Sequence, residues 1–238
     1  YNNTGSANIC IGYDAMQNAA GVNKCTVVGY QAMYNHSGTG DEGNTHMGYR
    51  AGFEGTGGWA NTFIGYQAGY NCSTGTGNTA LGHGAGTSQT TGNKNISIGN
   101  NANPSSNTAS GECTLGDSDI GALRCNDTSI SSLSDARDKT DVVDLPTGLN
   151  FLNTLRPVKF KWATRDGNVK DGSIRAGFIA QELQSAQTDY DYLDLVLDSN
   201  PDKLEAKQEH LIPVLVKAIQ ELSAENTALK ARLDAAGL

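Results

Sequence analysis

The stretch Asn61 to Gly77 reads Asn-Thr-Phe-Ile-Gly-Tyr-Gln-Ala-Gly-Tyr-Asn-Cys-Ser-Thr-Gly-Thr-Gly, and its pattern recurs along the first half of the chain. A hydrophobic residue followed by glycine occurs at spacings of 17, 19, 17, 17, 17 and 17 residues, with the glycines at Gly12, Gly29, Gly48, Gly65, Gly82, Gly99 and Gly116. A fixed period of this kind indicates a repeat architecture. Each unit is too short for two helices and too rich in glycine for one. The stretch therefore predicts one coil of a stacked β-solenoid.

Two further residue types keep a fixed distance from that glycine. Alanine follows it by three residues, at Ala15, Ala32, Ala51, Ala68, Ala85 and Ala102. Asparagine precedes it by four residues, at Asn8, Asn44, Asn61, Asn78 and Asn95, and Cys25 and Glu112 break that rule. We expect glycine where coils approach closely, alanine where the interior is narrow, and asparagine stacked in ladders. The alternative, a flexible low-complexity linker, gives no reason for a register that is held over six intervals.

The composition changes sharply along the chain. Residues 1–117 hold 23 of the 29 glycines and only nine charged residues, whereas residues 134–238 hold five glycines and 30 charged residues. This change predicts a domain boundary, with a glycine-rich repeat at 1–117, a cap or joint at 118–133 and a second domain at 134–238.

Charge, hydropathy and cysteine content argue against several classes of protein. The net charge of −8 disfavours a nucleic-acid partner, and the lack of a run of about 18 apolar residues predicts no membrane insertion. The five cysteines form no CxxC pair, so we expect no disulfide framework and no zinc site. The histidines keep no metal-ligand spacing, so we predict no metal, no cofactor and ordinary polar roles for His36, His46, His83 and His210.

The repeat units resemble the β-roll heads of trimeric adhesins and the shafts of phage tail fibres, through the motif Asn-(Thr)-x-hydrophobic-Gly-x-x-Ala. The resemblance implies a homotrimer, and the narrow coil agrees, because three chains together bury more apolar surface than one. Tyrosine follows the glycine in four units, at Tyr13, Tyr30, Tyr49 and Tyr66. Two interpretations remain, an aromatic strip that binds a host glycan or protein and packing between trimer subunits, of which we favour the second.

The second domain is predicted to be mixed α/β. Pro146 and Thr147 could begin a helix, and strands are expected at 158–162, 174–180 and 193–197. Hydrophobic residues near the chain's end alternate at steps of three and four, which predicts a trimeric coiled-coil helix at about 209–236. Its seam is formed by Ile212, Leu215, Ile219, Leu222, Asn226, Leu229 and Leu233.

The stretch Ser134 to Lys139, Ser-Asp-Ala-Arg-Asp-Lys, opens this domain. A serine and a lysine five residues apart are uninformative alone, but three further motifs follow in order, at Leu155 to Val158, Gly177 to Glu182 and Ala218 to Leu222. Together they resemble the C-terminal intramolecular chaperone of endosialidases and other phage tail proteins. The resemblance implies a trimeric chaperone that is released by cleavage between Leu133 and Ser134, with Ser134 as nucleophile and Lys139 as its base.

This chemistry places demands on the lysine. A serine hydroxyl needs a base, and a lysine, whose ordinary pKa is about 10.4, can serve only if burial or a nearby positive charge lowers that pKa. Arg137 is a candidate for the charge, provided that folding brings it close. Asp135, Gln181 and Glu182 could orient the site or equally be structural hydrogen-bonders. The resemblance implies a single-turnover autopeptidase. No histidine and aspartate partner set supports ordinary serine-protease chemistry, so we predict no cleavage of other substrates.

The sequence therefore favours the C-terminal part of a viral tail fibre, assembled in the bacterial cytoplasm and carried on the virion. Its last domain would drive trimerisation and folding of the shaft and then be cut off. The alternative is a permanent trimeric surface adhesin whose uncleaved stalk carries a head that binds host glycan or protein. An enzyme acting on polysaccharide is disfavoured, because paired carboxylates for glycoside cleavage cannot be picked out in the repeat.

Overall fold

The computed structural model describes residues 5–38, 40–120, 122–126, 131–162, 172 and 174–237. The chain divides into two units, Tyr1–Leu123 and Arg124–Leu238. The division falls inside the predicted joint at 118–133, of which residues 121 and 127–130 lie outside the described residues.

The first unit is a β-solenoid of about six turns, which confirms the predicted fold. Its short strands are β1 (Ile9–Ile11), β2 (Val22–Asn23), β3 (Thr26–Val28), β4 (Gly40–Asp41), β5 (Thr45–Met47), β6 (Thr62–Ile64), β7 (Thr79–Leu81), β8 (Ile96–Ile98) and β9 (Cys113–Leu115). Within the described residues, a seven-stranded parallel sheet runs in the order β1-β3-β5-β6-β7-β8-β9. Each strand pairs with the same repeat positions of the next coil, as Thr62 does with Thr79.

Buried asparagines join successive coils in the predicted ladder. Oδ1 of Asn44 accepts a hydrogen bond from the backbone N–H of Asn61 at 2.8 Å, and Oδ1 of Asn61 accepts one from Asn78 at 2.9 Å. The other end of the Asn61 amide donates to the carbonyl of Gly75 at 2.8 Å. Each asparagine thus satisfies backbone groups that would otherwise be buried without a partner, with a contribution of about 0.5–1.5 kcal/mol per bond.

The repeat alanines are buried, as predicted, and the repeat glycines stack directly on one another. Ala32, Ala51 and Ala68 have no exposed surface. A Cβ atom added to Gly48 would lie 2.3 Å from the carbonyl oxygen of Gly65. The close stacking of coils therefore leaves no room for a side chain in this column.

The interior volume is balanced within the coils that carry Val27, His46 and Phe63. There a large residue two positions before the repeat glycine is matched by a glycine four positions after it, and the smaller Val27 is matched by methionine. A Cβ on Gly69, for example, would lie 2.5 Å from the ring of Phe63. The pairing keeps the core close-packed although single positions vary. The pairs include Phe63 with Gly69, His46 with Gly52, and Val27 with Met33. Ala80 with Gly86 and Ser97 with Asn103 do not follow this rule.

The second unit is mixed α/β, and the predicted strands appear in shortened form. Strand β10 (Val158–Phe160) pairs antiparallel with β11 (Arg175–Gly177), and β12 (Val196–Leu197) with β13 (Glu205–Ala206). The helices are α1 (Leu149–Leu152), α2 (Ala180–Ala186) and α3 (Leu211–Ala236). Their shared core includes Phe151, Leu183, Leu195, Leu211 and Val214.

Candidate active site

A single tight turn brings Ser134 and Lys139 together. Asp135 caps a 3-10 helix at Ala136–Asp138 by accepting a hydrogen bond from the backbone N–H of Arg137 at 2.9 Å. The N–H of Lys139 closes the turn on the carbonyl of Ala136 at 3.3 Å. As a result, Nζ of Lys139 donates to Oγ of Ser134 at 2.7 Å. The hydroxyl and the amine are thus close enough for direct proton transfer.

The other charges of the turn are paired with each other. The guanidinium of Arg137 binds the carboxylate of Asp135 through Nε at 3.0 Å and Nη2 at 2.7 Å. Hydrogen bonds from Arg137 lower the pKa of Asp135, and the same contact raises the pKa of Arg137. The positive charge of Arg137, which was the candidate to lower the pKa of the lysine, is therefore balanced by the carboxylate of Asp135.

Gln181 and Glu182 lie on α2, and their described hydrogen bonds do not lead to the turn. Glu182 forms an ion pair with Arg156, with one bond of 3.1 Å from Nε and a second from Nη2. The carbonyl of Gln181 accepts from the hydroxyl of Ser185 at 3.0 Å. These contacts involve the Glu182 side chain and the Gln181 backbone carbonyl, and a supporting role for the two residues in the site stays a prediction.

The serine–lysine pair is exposed to solvent in the single chain. In water a lysine amine is ordinarily protonated at neutral pH, and burial disfavours this charged form. The single chain therefore supplies the geometry of a nucleophile and its base but not the dry surroundings that would activate them.

Helix α3 carries two apolar stripes with different environments. Leu211, Val214 and Ala218 are buried against the unit's own core. At the N-terminus of α1, Oε2 of Glu221 accepts from the backbone N–H of Leu149 at 2.8 Å, which fastens the two helices together. The predicted seam faces away and is exposed, from 41% at Leu233 to 65% at Ile219. Its members are Ile212, Leu215, Ile219, Leu222, Asn226, Leu229 and Leu233.

The tyrosines of the repeat form a continuous stack along the solenoid. Ring centroids of successive members lie between 5.6 Å (Tyr13 and Tyr30) and 4.8 Å (Tyr66 and His83) apart, with nearly parallel planes. Arg50 places its guanidinium 5.2 Å from the Tyr49 ring. Because neighbouring rings cover each other's faces, mainly ring edges are left for an outside partner.

Two histidines were predicted to be ordinary polar residues, and the structure corrects this. His36 and His46 are buried inside the solenoid, and no hydrogen-bond partner is described for their ring nitrogens. Burial lowers the pKa of His36 to about 4 and, with the nearby His36, that of His46 to about 3. Glu42 lies 3.5 Å from His36, and burial raises its pKa, so both groups favour the neutral form. The repeat alignment carried the missing signal, because His46 takes the interior position of Phe63.

Comparison with known protein families gives a match that begins at the same turn. Residues 134–192 match the family model described as chaperone of endosialidase, and the match begins at Ser134 itself. A search of curated proteins and one of solved structures gave no match. Within the described residues, no helix is long and apolar enough to cross a membrane, and no group of three or more His, Cys, Asp or Glu could hold a metal ion. The chain thus joins a β-solenoid to a segment that matches the chaperone-of-endosialidase model, a combination that fits a tail fibre with a chaperone domain.

Proposed function

We propose that this chain is the C-terminal part of a viral tail fibre that cuts itself once, between Leu133 and Ser134. The observation that carries the proposal is the 2.7 Å contact from Nζ of Lys139 to Oγ of Ser134, at the residue where the chaperone family match begins. The mature shaft would sit on a virion and meet a host receptor, a glycan or a protein.

The proposed reaction uses only groups of this chain and water. Oγ of Ser134 attacks the carbonyl carbon of Leu133 while the neutral amine of Lys139 takes the hydroxyl proton. The peptide C–N bond breaks, and the α-amino group of Ser134 leaves with that proton. Water then hydrolyses the resulting ester, which frees the carboxylate of Leu133 and the hydroxyl of Ser134. Since the bond is not remade, each chain reacts once.

A homotrimer is the assembly that we propose for this chain. The exposed seam of α3 is an apolar stripe at coiled-coil spacing, and covering it stabilises by about 25 cal/mol for each Å² of apolar surface buried. The helices of a coiled coil form from local contacts, whereas the parallel strands of a β-solenoid depend on non-local contacts and fold slowly. Helices that associate first would hold three shafts at high effective concentration. After cleavage the shaft would persist because its unfolding is slow.

The first prediction concerns the serine–lysine pair. The purified wild-type chain is expected to run as two fragments, 1–133 and 134–238, on a denaturing gel and in intact-mass measurement. Ser134→Ala removes the nucleophile and Lys139→Ala removes its base, so both variants should remain full length. The matched control is Ser132→Ala, which changes an exposed serine of the same segment and should cleave normally. A full-length wild-type chain would instead favour the permanent adhesin with an uncleaved stalk.

The second prediction couples cleavage to assembly. The double variant Leu222→Glu and Leu229→Glu places charges in the exposed seam, so we expect a monomer by light scattering and a full-length chain on the gel. The control, Ala224→Glu with Ala231→Glu, puts the same charges on exposed positions about 200° further around the helix. It should stay trimeric and cleave. Normal cleavage by a monomeric seam variant would contradict the coupling.

A further inference from the structure

The segment that carries the cleavage site, residues 131–144, is here named the cleavage arm, and it carries apolar side chains that its own unit leaves uncovered. Leu133 is 83% exposed, Val142 76% and Val143 83%. Just beyond the end of the arm, Leu145 packs against the core cluster. In water such a row of apolar side chains is a surface that association would stabilise.

The same unit holds an open apolar cavity, here named the α1–α2 groove. Its volume is about 880 Å³, and its lining includes Phe151, Leu155, Phe178, Ile179, Leu183 and Ala186. Cavities of this size take up drug-sized groups or several side chains. Arg156 lies at the groove with its side chain 65% exposed.

We propose that the α1–α2 groove receives the cleavage arm of a second copy of this chain, so that each cleavage site is completed by its neighbour. The inference rests on the proposed function. Leu133 and the two valines supply apolar groups for the lining. The arm also holds four aspartates, Asp135, Asp138, Asp141 and Asp144, against one arginine and one lysine, which gives it a net charge of −2. At the groove Arg156 is already paired with Glu182, so the apolar contacts, and not the charges, carry the docking.

A neighbouring copy, and not the chain's own groove, accounts for the observed arrangement. The single chain contains both parts and leaves the arm exposed and the groove open. Docking in the neighbour would exclude water from Ser134 and Lys139 only after assembly. It would also disfavour the charged ammonium and so activate the base at that moment. Cleavage would then follow assembly without a separate signal.

The test blocks the groove from its exposed edge. Ser185 lines the groove, is exposed, and donates its hydroxyl to the carbonyl of Gln181, so Ser185→Arg should fill the groove without disturbing the core. We expect its cleavage rate to fall at least about tenfold, the change that 1.4 kcal/mol produces. Gln184→Arg, on the same helix but away from the groove lining, is the matched control and should cleave normally. Asn150→Arg blocks the groove from α1 and serves if Ser185→Arg fails to assemble.

Mixed trimers decide which chain's groove is used. The Ser185→Arg chain keeps an intact arm, and the Ser134→Ala chain keeps an intact groove. When the two are co-expressed with different tags, the Ser185→Arg chain should be cleaved, because its arm can enter the partner's groove. Failure of rescue, or wild-type cleavage by Ser185→Arg alone, would overturn the inference. A wild-type chain that never cleaves would instead refute the proposed function.

Discussion

Gly65→Ala is expected to destabilise the solenoid by on the order of 4 kcal/mol, at the upper end of what single substitutions do. The backbone of Gly65 has φ +138°, which side-chain-bearing residues rarely adopt. Its added Cβ would lie 2.3 Å from the carbonyl oxygen of Gly82. That oxygen belongs to the backbone of the next coil, where Gly82 N–H donates to Ile64 at 2.9 Å. The clash therefore cannot be relieved without breaking inter-coil hydrogen bonds.

Thermal unfolding of the full chain, followed by circular dichroism at fixed protein concentration, measures this effect. Gly57→Ala is the matched control, because a Cβ at Gly57 meets no atom within 4 Å. It should unfold within a few degrees of the wild-type protein. Equal midpoints for Gly65→Ala and the wild-type protein would show that the glycine column does not set the spacing of the coils.

Acid should weaken the solenoid through His36 and His46. Both imidazoles stay neutral in the folded state, with pKa about 4 and about 3, whereas unfolding restores the ordinary value of about 6.5. Below pH 6.5 the unfolded state therefore binds more protons, so stability is complete above that pH and falls as the pH drops towards the folded pKa values. At pH 5 the loss is at most about 4 kcal/mol for the two together. Glu42, whose pKa is raised by burial, acts in the opposite direction and reduces it.

Unfolding midpoints at pH 7.5, 6.5 and 5.5 check this prediction. His46→Phe copies the next coil, where Phe63 faces Gly69 as His46 faces Gly52, and should remove part of the pH dependence. His83→Tyr changes an exposed member of the surface stack and should keep the wild-type pH profile. A wild-type midpoint that does not change between pH 7.5 and 5.5 would contradict the assignment of the two buried imidazoles.

The repeat allowed the solenoid to be predicted because every coil meets the same steric conditions. Glycine marks the close approach of coils, alanine the narrow interior and asparagine the inter-coil hydrogen bond. Each of these residues can be recognised from its position in the sequence alone. The environment of His46 was missed because metal-ligand spacing was sought along the chain, while its burial depends on its position within the coil. The spacing of the tyrosines did not reveal that their rings stack on those of the next coil, and packing between subunits stays a prediction.

The candidate site was less accessible to sequence reasoning. The distance between Ser134 and Lys139 depends on a 3-10 turn that is capped by Asp135, and residue spacing alone does not reveal such a turn. Arg137 was a candidate for the positive charge near the lysine, and its guanidinium pairs with the carboxylate of Asp135. Gln181 and Glu182 are far along the chain, and their contacts depend on how α2 packs.

The balance of volume between Phe63 and Gly69 has a consequence for how such solenoids change over generations. Since Phe63 and Gly69 lie in one unit, removing or duplicating the 17 residues from Asn61 to Gly77 transfers both members of the pair together. The asparagine before the cut and the one after it are equivalent, so the hydrogen-bonded junction is restored. Unequal recombination could therefore lengthen or shorten the shaft in whole coils, about 4.8 Å at a time, and leave both ends of the protein unaltered.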